Sequence, residues 1–375
     1  LHGHDWVYSS EVLKTFGEPA DGSVVSLKDG RDRLLGTAIY NSVSQIVARR
    51  ISRRRESLSP DFFERRIARA LDWRKSSGCD PDLCRLIWSE ADGLPGVIAD
   101  RYGDVVVLQT NTLAMDGHKL IIAEQLAKIP GVQFVFERND APSRSVEGLQ
   151  SSSSSLIGGE PGPRVVKVAG AEFEIDFQTG QKTGLYLDQA ESYRVVSGYA
   201  PGSRVLDCFA NQGGFALTCA AAGARDVTAV ESGKTAAERL QSNALRNDVA
   251  IDLVQEDVFK FLPRVEKSSY DVVILDPPSF THTRGRAREA MRGYRDLHRL
   301  AAPALVQGGV MATFCCSHHI SAQEFENAVA EGFSDARCSA NLLARIDQPP
   351  DHPVLLHMPE SAYLKGLILV ARPAF

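Results

Sequence analysis

Cysteine is sparse, with seven in 375 residues, an odd number and no CxxC pair among them. That excludes a disulfide framework and a structural zinc site as organising devices. A reducing cytoplasm is the expected setting. No apolar run reaches the roughly 18 residues that a membrane-spanning helix needs, so no membrane partner is expected. No basic start leads into an apolar stretch, so no signal peptide is expected, and the start at Leu1 leaves an upstream segment open. With 43% hydrophobic and 24% charged residues, neither a disordered chain nor a fibrous repeat fits. The length suits two or three domains.

The net charge of −5 lacks the basic excess typical of a nucleic-acid binder, but its distribution is uneven. Ten Lys/Arg face four Asp/Glu between Arg49 and Lys75, including the run Arg53-Arg54-Arg55. A second cluster holds Arg284, Arg286, Arg288, Arg292, Arg295 and Arg299 against Glu289 and Asp296. Two basic patches on an acidic protein suit a phosphate backbone held by dedicated surfaces. For the first patch the bland alternative is the wet side of a helix. Phe63, Ile67, Ala70 and Leu71 recur at helical spacing, with Arg65, Arg66 and Arg69 between them and Asp61 placed to pair with Arg65.

The pattern divides the chain at residues 1–58, 59–75, 76–190 and 191–375. Val24–Leu27, Leu34–Tyr40 and Gln45–Arg49 read as short strands of a small all-β module. A basic helical connector follows at 59–75. The next part reads as α+β. It has a hairpin about Arg101-Tyr102-Gly103, a helix from His118 to Lys128, a buried strand at Phe134–Phe136, a low-complexity loop at Ser151–Ser155 and a second hairpin about Ala169-Gly170. From about residue 195 strands and helices alternate, which predicts a parallel α/β sheet with ligands at the carboxyl ends of its strands.

The first strand of that region runs into Asp207-Cys208-Phe209-Ala210-Asn211-Gln212-Gly213-Gly214-Phe215. The G-x-G-x-x-G spacing of a dinucleotide site is absent, and an acid stands where a pyrophosphate would want none. Glu231 ends the next strand, where a carboxylate accepts the hydrogen bonds of a ribose diol. An acidic strand end with a ribose-binding acid points to S-adenosyl-L-methionine. For Glu231 alone, a solvated strand-end charge is the competing reading. Asp257 after the third strand suits an adenine amino group, and equally a cap for the following helix.

Asp276-Pro277-Pro278-Ser279-Phe280 ends the fourth strand, and the prolines stiffen the chain there. The fifth ends in Phe314-Cys315-Cys316-Ser317-His318-His319. Alternation turns the two cysteines to opposite faces, so only one should serve chemistry. A strand Cys is more often core packing, but its place beside Asp276-Pro277-Pro278 favours a thiolate nucleophile. Methylation at carbon 5 of cytosine needs such a group, because that carbon is too weak a nucleophile until a thiolate adds to carbon 6. His318 and His319 lack the partners of a metal site, and no metal is expected.

At this point the chain resembles the ribosomal RNA large-subunit methyltransferase I family, 5-methylcytosine enzymes with an N-terminal PUA domain. The resemblance rests on Gly3-His4-Asp5-Trp6-Val7-Tyr8, on Asp92 to Gly103, on Glu137-Arg138-Asn139-Asp140 and on Gly180 to Gln189. It extends to Asp351-His352-Pro353 and to Pro359-Glu360 through Tyr363-Leu364-Lys365-Gly366. It implies a small β-barrel-like PUA domain, a central α+β domain and a Rossmann-like class I methyltransferase domain. It implies a cofactor pocket lined by Asp207, Phe209, Asn211, Gly213, Gly214, Phe215, Glu231, Ser232, Asp257, Val258, Asp276 and Pro277, closed by Thr183, Tyr186 and Asp188. It places the nucleophile at Cys316, with Asp276 as the second catalytic group. Many RNA 5-methylcytosine enzymes carry a second Cys after the fourth-strand proline; Ser279 stands there, which leaves the carbon 5 base unassigned. Ribosomal RNA is the implied partner, steadied by Arg53, Arg54, Arg55, Arg284, Arg286 and Arg288. Oligomeric state is left open, a homodimer included. The competing functions are methylation of an exocyclic amine with Cys316 as bystander, and a non-catalytic RNA-binding or ribosome-assembly protein.

Overall fold

The computed structural model describes residues 3–178, 184–281 and 284–372. These form two compact units. The first takes the chain up to Val166, then Glu174–Leu187 and Pro350–Ser361; the second takes Lys167–Phe173, Asp188–Pro349 and the chain from Ala362.

In the first unit, β1 (Trp6–Tyr8), β2 (Val24–Lys28), β3 (Leu34–Tyr40) and β4 (Ile46–Ser52) build an antiparallel sheet in the order β1-β4-β3-β2. Helix α1 (Pro60–Ser76) starts on a capping Ser59, whose Oγ accepts from Phe62 N, and on a proline that needs no N–H partner. Phe62, Phe63, Ile67 and Ala70 form its buried stripe, while Arg65 and Arg69 stay wet. The expected Asp61–Arg65 pair is replaced by Arg65–Glu56. Arg66 is half-buried; its guanidinium stacks over Phe62 and donates to Ile51 O.

A five-stranded sheet follows in the order β5-β6-β7-β8-β9: β5 (Leu83–Trp88), β6 (Val97–Tyr102), β7 (Val105–Thr110), β8 (Phe134–Asn139) and β9 (Ser152–Ile157). Helices α2 (Leu113–Gly117) and α3 (Lys119–Leu126) lie between β7 and β8, and α4 (Ser143–Val146) lies between β8 and β9. The serine run expected as a loop is instead the edge strand β9. Pairing with β8 supplies its order, and Ser154 Oγ donates to Glu137 on that strand. Arg49 bonds Glu90 at 2.9 Å and Glu147 at 3.5 Å, and Trp6 Nε1 also donates to Glu90. These contacts tie the N-terminal sheet to the central one. The expected hairpin about Ala169-Gly170 is β10 (Arg164–Val168) with β11 (Ala171–Ile175).

The second unit opens with α5 (Ala190–Ser197), followed by β12 (Arg204–Cys208), α6 (Gly214–Ala221), β13 (Asp226–Val230), α7 (Lys234–Arg246), β14 (Asp252–Val254), α8 (Val258–Phe261) and β15 (Tyr270–Leu275). It continues through α9 (Ala287–Ala301), β16 (Leu305–Cys315), α10 (Ala322–Asp335), β17 (Ser339–Asp347) and β18 (Lys365–Arg372). The seven strands run in the order β14-β13-β12-β15-β16-β18-β17. Five pair in parallel, as expected; β18 enters antiparallel between β16 and β17, so that six of the seven share one direction, and the β17–β18 pair is not visible in the sequence pattern. The strand order reverses at β12, so β12, β13 and β15 present their carboxyl ends side by side, where such folds hold ligands.

Candidate active site

The turn after β12 is bent tightly. Phe209, Asn211 and Gly213 have φ values of 64°, 50° and 93°. Side chains rarely adopt this region, and a bulky aromatic there marks stored strain. Local hydrogen bonds hold it. Ala210 N donates to Val230 O, Asn211 N to Glu231 Oε2, and Gln212 N to Asn211 Oδ1. Glu231 Oε1 accepts from Gly233 N at 2.6 Å. Two backbone donors thus fix the Glu231 carboxylate, and each oxygen keeps a lone pair for a further hydroxyl.

Asp207 is completely buried. Its Oδ2 accepts from Ala216 N at 2.9 Å in the first turn of α6, and its Oδ1 has no hydrogen-bond partner among the described residues. Burial drives its pKa well above the usual carboxylate range, against the pull of the Ala216 N–H; the Asp276 and Glu231 charges push it further up. Three carboxylates thus converge on one small volume, and one oxygen waits for a donor. That arrangement suits a cationic ligand with N–H groups and a ribose. S-adenosyl-L-methionine carries both, in its ammonium and sulfonium centres and its ribose diol.

The glycines serve packing as much as ligand approach. A Cβ on Gly214 would lie 2.4 Å from the Tyr193 ring, and one on Gly213 would lie 2.9 Å from Leu217 Cδ1. Phe215 is committed to the core, edge-on to Tyr193 and stacked on Phe314. Asp257 is exposed and caps α8, its Oδ1 accepting from Lys260 N, while Val258 is buried beside it. Ser232 is exposed next to Glu231. Asp188 is buried and accepts from the Tyr363 hydroxyl at 2.6 Å. Tyr186 belongs to the first unit, and Thr183 lies outside the described residues.

Past β15, Asp276 is half-buried and Pro277 buried. Ser279 Oγ donates to Thr281 O, and the Phe280 ring packs on Tyr294 at 4.7 Å. Cys315 ends β16 in the core, and Cys316 follows half-exposed, the separation that strand alternation predicts. Because β15 and β16 run parallel with Leu275 opposite Thr313, Asp276 and Cys316 both project past the same sheet edge. Arg53, Arg54, Arg55, Arg286 and Arg288 are exposed; the Arg284 side chain lies outside the described residues. Farther along α9, Arg295 is engaged by Asp335 and Glu331, and Arg299 by Asp296. Tyr193, Tyr294 and Tyr363 were missed from the sequence, since each reaches the site through tertiary packing that local spacing does not reveal.

The family model for S-adenosylmethionine-dependent methyltransferases matches residues 77–370, and the model for a PUA-like domain matches residues 1–53. Among solved structures, a SAM-dependent methyltransferase from Streptococcus mutans superposes with a TM-score of 0.83 at 23% identity, over 98% of this chain and 96% of that one. A methyltransferase complexed with SAH gives 0.83 at 24%, with the same coverage. Fold, acidic turn and family models together define a methyltransferase that uses S-adenosyl-L-methionine and carries an N-terminal PUA-like domain. Proteins named ribosomal RNA large subunit methyltransferase I, from Pseudoalteromonas translucida and Klebsiella pneumoniae, are each 34% identical to it. The alignments cover 97% and 98% of this chain and 94% of each relative. The chain belongs to the ribosomal RNA large subunit methyltransferase I family.

Proposed function

We propose that the protein methylates carbon 5 of a cytosine in large-subunit ribosomal RNA, with Cys316 as nucleophile. The observation that carries this reading is the half-exposed Cys316 just past β16, at the same sheet edge as Asp276 and the acidic turn. The names of the full-length relatives support the RNA class.

S-adenosyl-L-methionine supplies an electrophilic methyl group on a sulfonium. Asp207 takes the amino-acid end of that cofactor, and Glu231 takes its ribose. The target cytosine leaves its stack at a cost of about a few kcal/mol. Asp276 holds the cytosine edge and favours protonation at ring nitrogen 3. The Cys316 thiolate adds to carbon 6, forming an S–C bond and making carbon 5 nucleophilic toward the methyl group. Loss of the carbon 5 proton, of the proton gained at nitrogen 3 and of the thiolate then restores the ring and frees Cys316. Arg53, Arg54, Arg55, Arg284, Arg286 and Arg288 contact the RNA backbone.

The test is transfer of labelled methyl to ribosomal RNA lacking its modifications, with wild type beside Cys316→Ser and the product nucleoside identified. Label in 5-methylcytosine, reduced at least about 10³-fold in the variant, supports the reading. Label on an exocyclic amine, or an unaffected variant, removes the covalent mechanism. No transfer to any RNA removes the enzyme reading.

A further inference from the structure

Lys365 opens β18 directly opposite Cys315 of β16. Its ammonium turns back over the segment that follows Cys316. Nζ donates to Ser317 O at 2.6 Å and to Ile320 O at 2.7 Å. Those two carbonyls bracket the turn Ser317–Ile320, so one amine closes it. Two residues earlier Tyr363, anchored on Asp188, lays its ring 5.3 Å from that of His318 in the same turn. The entry to β18 therefore grips the turn after Cys316 at two points.

The ammonium is half-buried and, among the described residues, has no carboxylate at ion-pair distance. Burial lowers its pKa, while the Cys315 and Cys316 sulfurs and the Glu324 carboxylate act to raise it. A buried cation satisfied only by neutral carbonyls gains when a negative charge forms beside it. Among the described residues, Tyr294 of α9 and Asp276 after β15 also bear on this region, and His318 and His319 stand in the turn that follows Cys316. Asp276 opposes a second negative charge there, whereas the Tyr294 phenol, kept neutral by burial, adds no charge.

We infer that Lys365 is a positioning residue for Cys316, its ammonium fixing the turn that directly follows the thiol and favouring the thiolate. This rests on the reading of Cys316 as the nucleophile. When the thiol ionises its proton leaves to solvent, and the sulfur charge acts through space on the ammonium.

The test is the pH dependence of Cys316 alkylation by iodoacetamide in the full chain, read by mass spectrometry without cofactor or RNA. Lys365→Gln keeps N–H donors for the two carbonyls and removes the charge; Lys365→Arg keeps both. The expected result is alkylation about tenfold slower at pH 7 in the Gln variant, its inflection moved up by about one pH unit. The Arg variant should stay within about twofold of wild type. A Gln variant with the wild-type profile overturns the inference, as do equal losses in both variants, which would make Lys365 a structural prop only. Alkylation needs no methyl transfer, so this failure differs from that of the nucleophile, which an active Cys316→Ser enzyme would show.

Discussion

His298 and Thr313 are joined by a 2.9 Å hydrogen bond in the floor of the second unit, between α9 and β16, both side chains fully buried. The imidazole Nδ1 faces the Tyr294 carbonyl at 2.6 Å, so Nδ1 carries the proton and Nε2 accepts from the Thr313 hydroxyl. Burial lowers the His298 pKa from 6.5 to about 4, with the Tyr294 carbonyl opposing. In the unfolded chain His298 binds its proton near pH 6.5, while the folded protein resists until about pH 4. Stability is therefore full above pH 6.5 and falls as pH drops toward 4, by about 3 kcal/mol in all from this group. Urea unfolding at several pH values should show a shallower acid loss in His298→Gln than in wild type. Parallel curves would contradict the assignment. Thr313→Val should cost about 1–3 kcal/mol by leaving Nε2 unpaired.

Asp207→Asn should separate ligand binding from folding. Its raised pKa means that the charged form is the strained one, so its destabilisation appears as pH rises through the folded value. The neutral amide should leave the ligand-free melting temperature at pH 7 unchanged or higher. S-adenosyl-L-methionine should bind roughly 10- to 100-fold more weakly, because a charged hydrogen bond is lost. Calorimetry and thermal melts read the two effects separately. Unchanged affinity would remove Asp207 from the binding site.

Gly214→Ala places a methyl group inside the Tyr193 ring's space. The clash should destabilise the second unit by about 1–3 kcal/mol. Tyr193→Ala in the same chain should recover part of that loss. A double variant less stable than the sum of the single effects would show that the two residues are not in steric conflict.

Removing Arg53, Arg54 and Arg55 together should weaken RNA binding and lower the slope of log affinity against log salt by about three. All three are exposed, so the melting temperature should hold. An unchanged slope would place the RNA elsewhere.

The parts of this site that the sequence displays are those set by strand ends. Asp207, Glu231 and Asp276 stand at or just past the ends of short hydrophobic runs that alternate with helices, and their convergence follows from strand order. Alternation separates Cys315 from Cys316 without choosing between them; the choice of Cys316 comes from the family resemblance. Lys365 and Tyr363 stand in a motif that discloses no role for either, because their contacts exist only once β18 pairs antiparallel with β16. The serine run of β9 was misread because partner strands rather than side chains make it a strand. Asp257 carried two readings, and its contact with Lys260 N displays the capping one.

The return of Pro350–Ser361 to the first unit ties synthesis to folding. The buried Arg74 guanidinium donates to Asp351 O at 2.8 Å, and the Asp351 carboxylate accepts from Arg85 N at 2.9 Å. A ribosome has therefore translated the whole methyltransferase sheet except β18 before the helix α1 and strand β5 can find these partners. A nascent chain arrested near residue 190 should expose Arg74 and the edge of β5 to proteolysis, and release at full length should protect them. Cutting the gene at the apparent domain boundary would yield an N-terminal fragment deprived of its own latch.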